Sequence, residues 1–144
     1  MIYTETTKKA MKICFKAHKN QIDKSGLPYV FHPFHLAEQM QDEERTAVAL
    51  LHDVIEDTDI TLDDLRCEGF NERILDAIGL MTHKDGVPYD EYVIAIKTNP
   101  IAKDVKLADL RHNSDLSRLE KITPRDLARA EKYANAIKIL ETKD

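Results

Sequence analysis

The run ALLHDVIEDTD at residues 49–59 gathers four ionisable side chains, His52, Asp53, Glu56 and Asp57, among aliphatic ones. On a helix turning ~100° per residue, with His52 at 0°, Asp53 falls at about 100°, Glu56 at about 40° and Asp57 at about 140°. Val48, Leu50, Leu51, Val54 and Ile55 fill the opposite side, and Ala49 is the one small apolar residue inside the polar sector. A helix this apolar is largely buried, so its polar sector faces either water or other polar groups in a cleft. An imidazole beside a carboxylate offers a borderline transition metal one nitrogen and one hard oxygen donor. A solvated acidic face is the alternative, and further ligands decide between the two.

Two further donors stand out. His32 lies in PYVFHP (28–33), where Pro33 restricts the backbone beside it. Asp109 lies in VKLADLRHN (105–113), where Lys106, Asp109 and Asn113 fall within about 60° of one another on a helix. Taken singly, these read as a loop histidine and a surface acid. Together with His52 and Asp53 they make a mixed nitrogen and oxygen set with open positions, better suited to iron, manganese or cobalt than to a structural zinc. His18, His35, His83 and His112 read as structural or surface residues, His35 being the best placed of them to orient a ligand. Cys14 and Cys67 read as core thiols, with neither CxxC nor metal-ligand spacing.

The elements that must position these groups are helical. No stretch sustains strand-like alternation, whereas helical spacing recurs throughout. The spacing predicts a first helix over about 4–21, broken by SGLP (25–28), and a short one from Pro33 to about Met40. Asp42 caps a third helix running to about Asp57, and Thr61 with Asp64 forms a capping box. Asn71 caps a helix ending near Met81, Pro88 starts one to about Thr98, and Asn99-Pro100 precedes a long one to about Glu120. Thr123-Pro124 opens the last. The expected fold is a compact all-α domain of seven or eight helices spanning residues 1–144.

Composition narrows the function classes. With 144 residues, 42% apolar and 33% charged, the chain fits one folded domain. A net charge of −5 argues against a general nucleic-acid binder. No apolar run nears the ~20 residues of a membrane span, and the opening MIYTETTKKAMK has no signal-peptide core, so a cytoplasmic protein is expected. Basic residues cluster over 8–24 and acidic ones over 53–64, the latter reading as a solvated face or a cation site.

LLHDVIEDTDIT (50–61) resembles the HD-domain hydrolase module of RelA/SpoT-type alarmone enzymes. KAHKNQIDKSGLPYVFHP (16–33) is similar to the opening of that module and VKLADLRHN (105–113) to its later metal helix, so the likeness covers most of the chain. The resemblance implies an all-helical domain that binds one manganese ion and removes the 3′-pyrophosphate from (p)ppGpp. It implies His32, His52, Asp53 and Asp109 as ligands and Glu56 with Asp57 as a water-activating pair in place of a second metal. Lys24, Ser25 and Asn113 then lie near the nucleotide, with Tyr133 lining the same pocket and Lys106 offsetting phosphate charge. No synthetase domain is expected within 1–144. Alternatives are hydrolysis of another nucleotide phosphate, or a non-catalytic module that senses a nucleotide. The chain departs from the family at Asp23, where the resemblance implies an arginine stacked on guanine. On that basis Asp23→Arg is expected to raise kcat/KM for (p)ppGpp several-fold.

Overall fold

A computed structural model of the chain describes residues 1–143. Most of its helices begin where the sequence supplies oxygen caps. Thr4 and Thr7 form a capping box at α1 (Glu5–His18), and the Asp42 carboxylate accepts from the Arg45 amide at the start of α3 (Glu43–Leu51). Between them α2 (Phe31–Glu38) starts without a side-chain cap. A short α4 (Val54–Asp57) follows α3, and Thr61 with Asp64 boxes α5 (Leu62–Cys67). Asn71 caps α6 (Glu72–Met81), Pro88 precedes α7 (Tyr89–Lys97), and Asn99 caps α8 (Pro100–Asn113). A 3-10 turn (Leu116–Arg118) leads to α9 (Pro124–Glu141), boxed by Thr123 and Asp126.

The fold is all-α; with α3 and α4 counted as one interrupted helix there are eight α-helices among the described residues, within the seven or eight that the periodicity predicts. Two differences bear on the site. The helix predicted through Asp57 is interrupted at His52-Asp53, and the one predicted to about Glu120 stops at Asn113. The second stop has a local cause: the Asp115 carboxylate accepts from the Ser117 amide at 3.1 Å and starts the 3-10 turn instead.

Thr46–Leu51 of α3 is wholly buried, and α3 packs against α1, α2, α6 and α8. Leu50 and Leu51 meet a core that includes Leu36, Ile78, Ile96, Leu110 and Leu140. Each such side chain contributes about 1.5–3 kcal/mol through burial. The segment bearing His52 is therefore anchored on its apolar side, and its polar residues face α2 and α8. The acidic block 53–64 divides: Asp64 caps α5, Asp63 pairs with Arg66, and Asp53 turns inward. No helix among the described residues is long and apolar enough to cross a membrane.

Candidate metal centre

Three segments deliver the inner groups. His32 is the second residue of α2, His52 and Asp53 occupy the interruption between α3 and α4, and Asp109 lies on α8. His32 Nε2 is 2.9 Å from Asp109 Oδ1, and His52 Nε2 is 3.0 Å from Asp53 Oδ2 and 3.6 Å from Asp109 Oδ1. Ligating atoms of His32, His52 and Asp109 all lie within 4.8 Å of one another, and all three residues are buried.

The hydrogen bonds around His52 show which nitrogen is on offer. Its Nδ1–H donates to the Ala49 carbonyl at 2.7 Å, which leaves Nε2 as the ring nitrogen aimed at the carboxylates. That buried Nε2 makes no well-directed hydrogen bond despite its short distance to Asp53. A buried, unsatisfied nitrogen beside two carboxylates and a second imidazole is what a divalent cation requires. The donor set fits such a cation.

Neighbouring groups tune the carboxylates. Burial alone would raise the Asp109 carboxyl, but the Lys106 ammonium, aided by His32 and His52, holds it well below the usual range. Lys106 Nζ sits 2.9 Å from Asp109 Oδ2, and Asn113 Nδ2 donates to Oδ1 at 3.0 Å. Burial likewise opposes ionisation of Asp53, yet His52 and the Tyr29 hydroxyl bring its carboxyl to about 2. His52 is pushed well above its ordinary value because Asp53 and Asp109 outweigh its burial. The carboxylates therefore draw positive charge, whether proton or metal, to Nε2.

Glu56, Lys106, Asn113 and Tyr133 line a cleft of about 220 Å³ with Asp53 and Asp109. Glu56 Oε1 accepts from the His83 amide, which fixes the carboxylate. Asp57 is exposed and is not among the residues lining that cleft. Partial desolvation, then the charges of Asp53 and Glu56, push its carboxyl to about 6. Lys24 and Ser25 line an adjoining cavity of about 290 Å³, which shares Asn113 and Tyr133 with the cleft. The structure thus gathers His32, His52, Asp53 and Asp109 at one point, with Glu56, Lys106, Asn113 and Tyr133 around it. Lys24 and Ser25 lie next door.

Tyr29 and His112 escaped the sequence reading, and so did Arg118 and Arg129 in the adjoining cavity. Tyr29 donates to Asp53, and His112 Nδ1 lies 2.6 Å from His32 Nδ1. Tyr29 stands three residues before His32, about one turn away, and that spacing was the available signal. His35, expected to be the better placed histidine, reaches the centre only through His112, its ring centroid 4.3 Å from that of His112.

No family model matches the chain. Among curated proteins it is 32% identical over 123 residues to a guanosine-3′,5′-bis(diphosphate) 3′-pyrophosphohydrolase of Aquifex aeolicus, covering 77% of this chain and 18% of that protein. It is 33% identical over 118 residues to a GTP pyrophosphokinase of Streptomyces coelicolor, covering 73% of this chain and 14% of that protein. A pyrophosphohydrolase of Vibrio cholerae is 43% identical over 65 residues, which is 42% of this chain and 9% of that protein. The chain is a relative of the RelA/SpoT proteins. It spans less than a fifth of the length of these RelA/SpoT relatives. A solved structure of a metazoan ortholog of SpoT, described as hydrolysing ppGpp, matches the whole chain and 90% of its own with a TM-score of 0.77 at 22% identity. The RelA/SpoT-type arrangement of helices is shared with it.

Proposed function

We propose that residues 1–144 form an HD-type phosphohydrolase domain that removes the 3′-pyrophosphate from (p)ppGpp, with one manganese ion held by His32, His52, Asp53 and Asp109. The observation that carries this reading is the buried His52 Nε2, unsatisfied and aimed at two carboxylates beside a second imidazole. The pyrophosphohydrolase names of the similar curated proteins support the substrate. Bound there, a divalent cation supplies Lewis-acid activation of phosphate and water.

The chain's own residues do the rest. Lys106 holds its charge beside Asp109 and faces the cleft, where it offsets the negative charge of a diphosphate. Asn113, held by Asp109, borders both cleft and cavity and so sits between reacting phosphate and nucleotide body. Lys24, Ser25 and Tyr133 receive that body. Glu56, with one carboxylate oxygen committed to the His83 amide, keeps the other for the proton of the attacking water. Asp57, the next residue in the chain, stands exposed outside the cleft and carries that proton on to solvent. Cys14 is the core thiol expected, whereas Cys67, at the end of α5, is exposed; both are free, which suits the reducing cytoplasm.

The test is a panel of nucleotides bearing 3′- or 5′-phosphates, incubated with the manganese-loaded protein. Pyrophosphate with GDP from ppGpp, and with GTP from pppGpp, is the expected product set. Faster release from a nucleotide without a 3′-diphosphate reassigns the substrate. A panel left intact overturns the hydrolase reading.

A further inference from the structure

The two imidazoles of the centre are oriented differently. His52 gives its Nδ1 proton to a backbone carbonyl of its own helix, 2.7 Å away, a partner that no side-chain substitution removes. His32 has no such carbonyl at Nδ1. Its Nδ1 lies 2.6 Å from Nδ1 of His112, with the two ring planes only 9° apart, as an in-line N–H···N hydrogen bond favours. A contact this short between two ring nitrogens needs one proton between them.

We propose that His112 is a positioning residue that fixes the tautomer and ring orientation of His32, so that His32 presents a bare Nε2 to a divalent cation. The inference rests on the metal reading above. For Nε2 to ligate, the proton of His32 must sit on Nδ1; His112 Nδ1 is then the acceptor, and its own proton sits on Nε2. An imidazole here fills the place usually taken by a carboxylate or backbone carbonyl behind a metal-bound histidine. His112 is itself held. Arg118 Nη1 donates to its backbone carbonyl at 2.9 Å, and the His35 ring packs on its other side. The acceptor therefore stands on α8 three residues beyond Asp109, so one helix supplies both a ligand and the support of another ligand.

Manganese titration by electron paramagnetic resonance, which reads free Mn²⁺, tests this on the full chain. His112→Ala is expected to weaken binding roughly 10–100-fold. His112→Asn, which keeps an acceptor near the Nδ1 position, is expected to recover most of that loss. His112→Phe keeps a flat ring without a nitrogen and is expected to resemble His112→Ala. Wild-type affinity in His112→Phe overturns the proposal in favour of packing, and failure of the wild type to bind Mn²⁺ overturns the metal reading with it. If the variants fail to fold, nitrogen-15 spectra of the Zn²⁺-loaded wild type decide. They are expected to show His32 protonated at Nδ1 and His112 at Nε2; the reverse pattern overturns the proposal.

Discussion

Asp23 illustrates how a single carboxylate changes its meaning between sequence and structure. Its Oδ1 accepts from the Ser25 and Leu27 amides at 2.9 and 3.0 Å and from Ser25 Oγ at 2.6 Å, and its Oδ2 pairs with Arg118 at 3.2 Å. Gly26, at φ 83°, lets the chain turn back around it. An arginine here would strip two amides of their acceptor and set a second guanidinium against Arg118. Whatever it does to kcat/KM, Asp23→Arg is therefore expected to be less stable by about 1–3 kcal/mol, read by chemical denaturation. A pH prediction follows from the same contacts. Burial works against ionisation, but the Ser25 and Leu27 hydrogen bonds and the Arg118 charge win, so the folded carboxyl lies below its ordinary 3.8. A carboxyl lowered by folding stabilises fully above its unfolded value, and that contribution fades as pH falls through the folded value. The Tm gap between wild type and Asp23→Asn is expected to be constant from pH 7 to about 5 and to close below the ordinary aspartate range. A gap unchanged at pH 3 would show that the charge of Asp23 does not matter to the fold.

At the scale of elements, what could be read in the sequence was whatever is local. Asp42, Asn71, Thr61 with Asp64 and Thr123 cap the helices they were expected to cap, because a cap is decided within four residues, and the structure adds Asn99 and Asp126 to them. Asp42→Ala is accordingly expected to cost about 1 kcal/mol and to lower Tm by about 2–4 °C in circular dichroism melts, with Asp42→Asn restoring most of it. An unchanged melt would place the start of α3 under the control of its buried face instead. The interruption at His52-Asp53 left no such mark. Asp53 sits at the margin of the helical region, φ −104° and ψ −1°, where its carboxylate meets the Tyr29 hydroxyl 24 residues earlier in the chain. His52 and Asp53 were nonetheless legible as candidate ligands, because they need only be adjacent and face one side, and a turn keeps them so. The 2.6 Å contact of His112 with His32 joins residues 80 apart, and nothing near His112 in the sequence announces it.

The whole molecule is tied at this centre. His32 and Asp109 stand 77 residues apart, and with His52 they join α2, the α3–α4 interruption and α8. A cation bound by all three segments binds the folded chain and not the unfolded one, so it must stabilise the fold by mass action. At a free concentration about 100 times Kd the gain is about 2.7 kcal/mol. For a chain of this size each kcal/mol shifts Tm by about 2–4 °C, so saturating Mn²⁺ is expected to raise Tm by roughly 5–10 °C, and a chelator to reverse it. His52→Ala removes the unsatisfied Nε2 and should abolish the shift, whatever its effect on the metal-free melt. Lys24→Ala, in the adjoining cavity, should leave the shift intact while weakening the hold on nucleotide. A shift that survives His52→Ala would put the cation elsewhere on this acidic surface. A shift lost in both variants would mean that cavity and centre fold as one unit, joined by Tyr29, which lines the cavity and donates to Asp53, and by the shared wall of Asn113 and Tyr133.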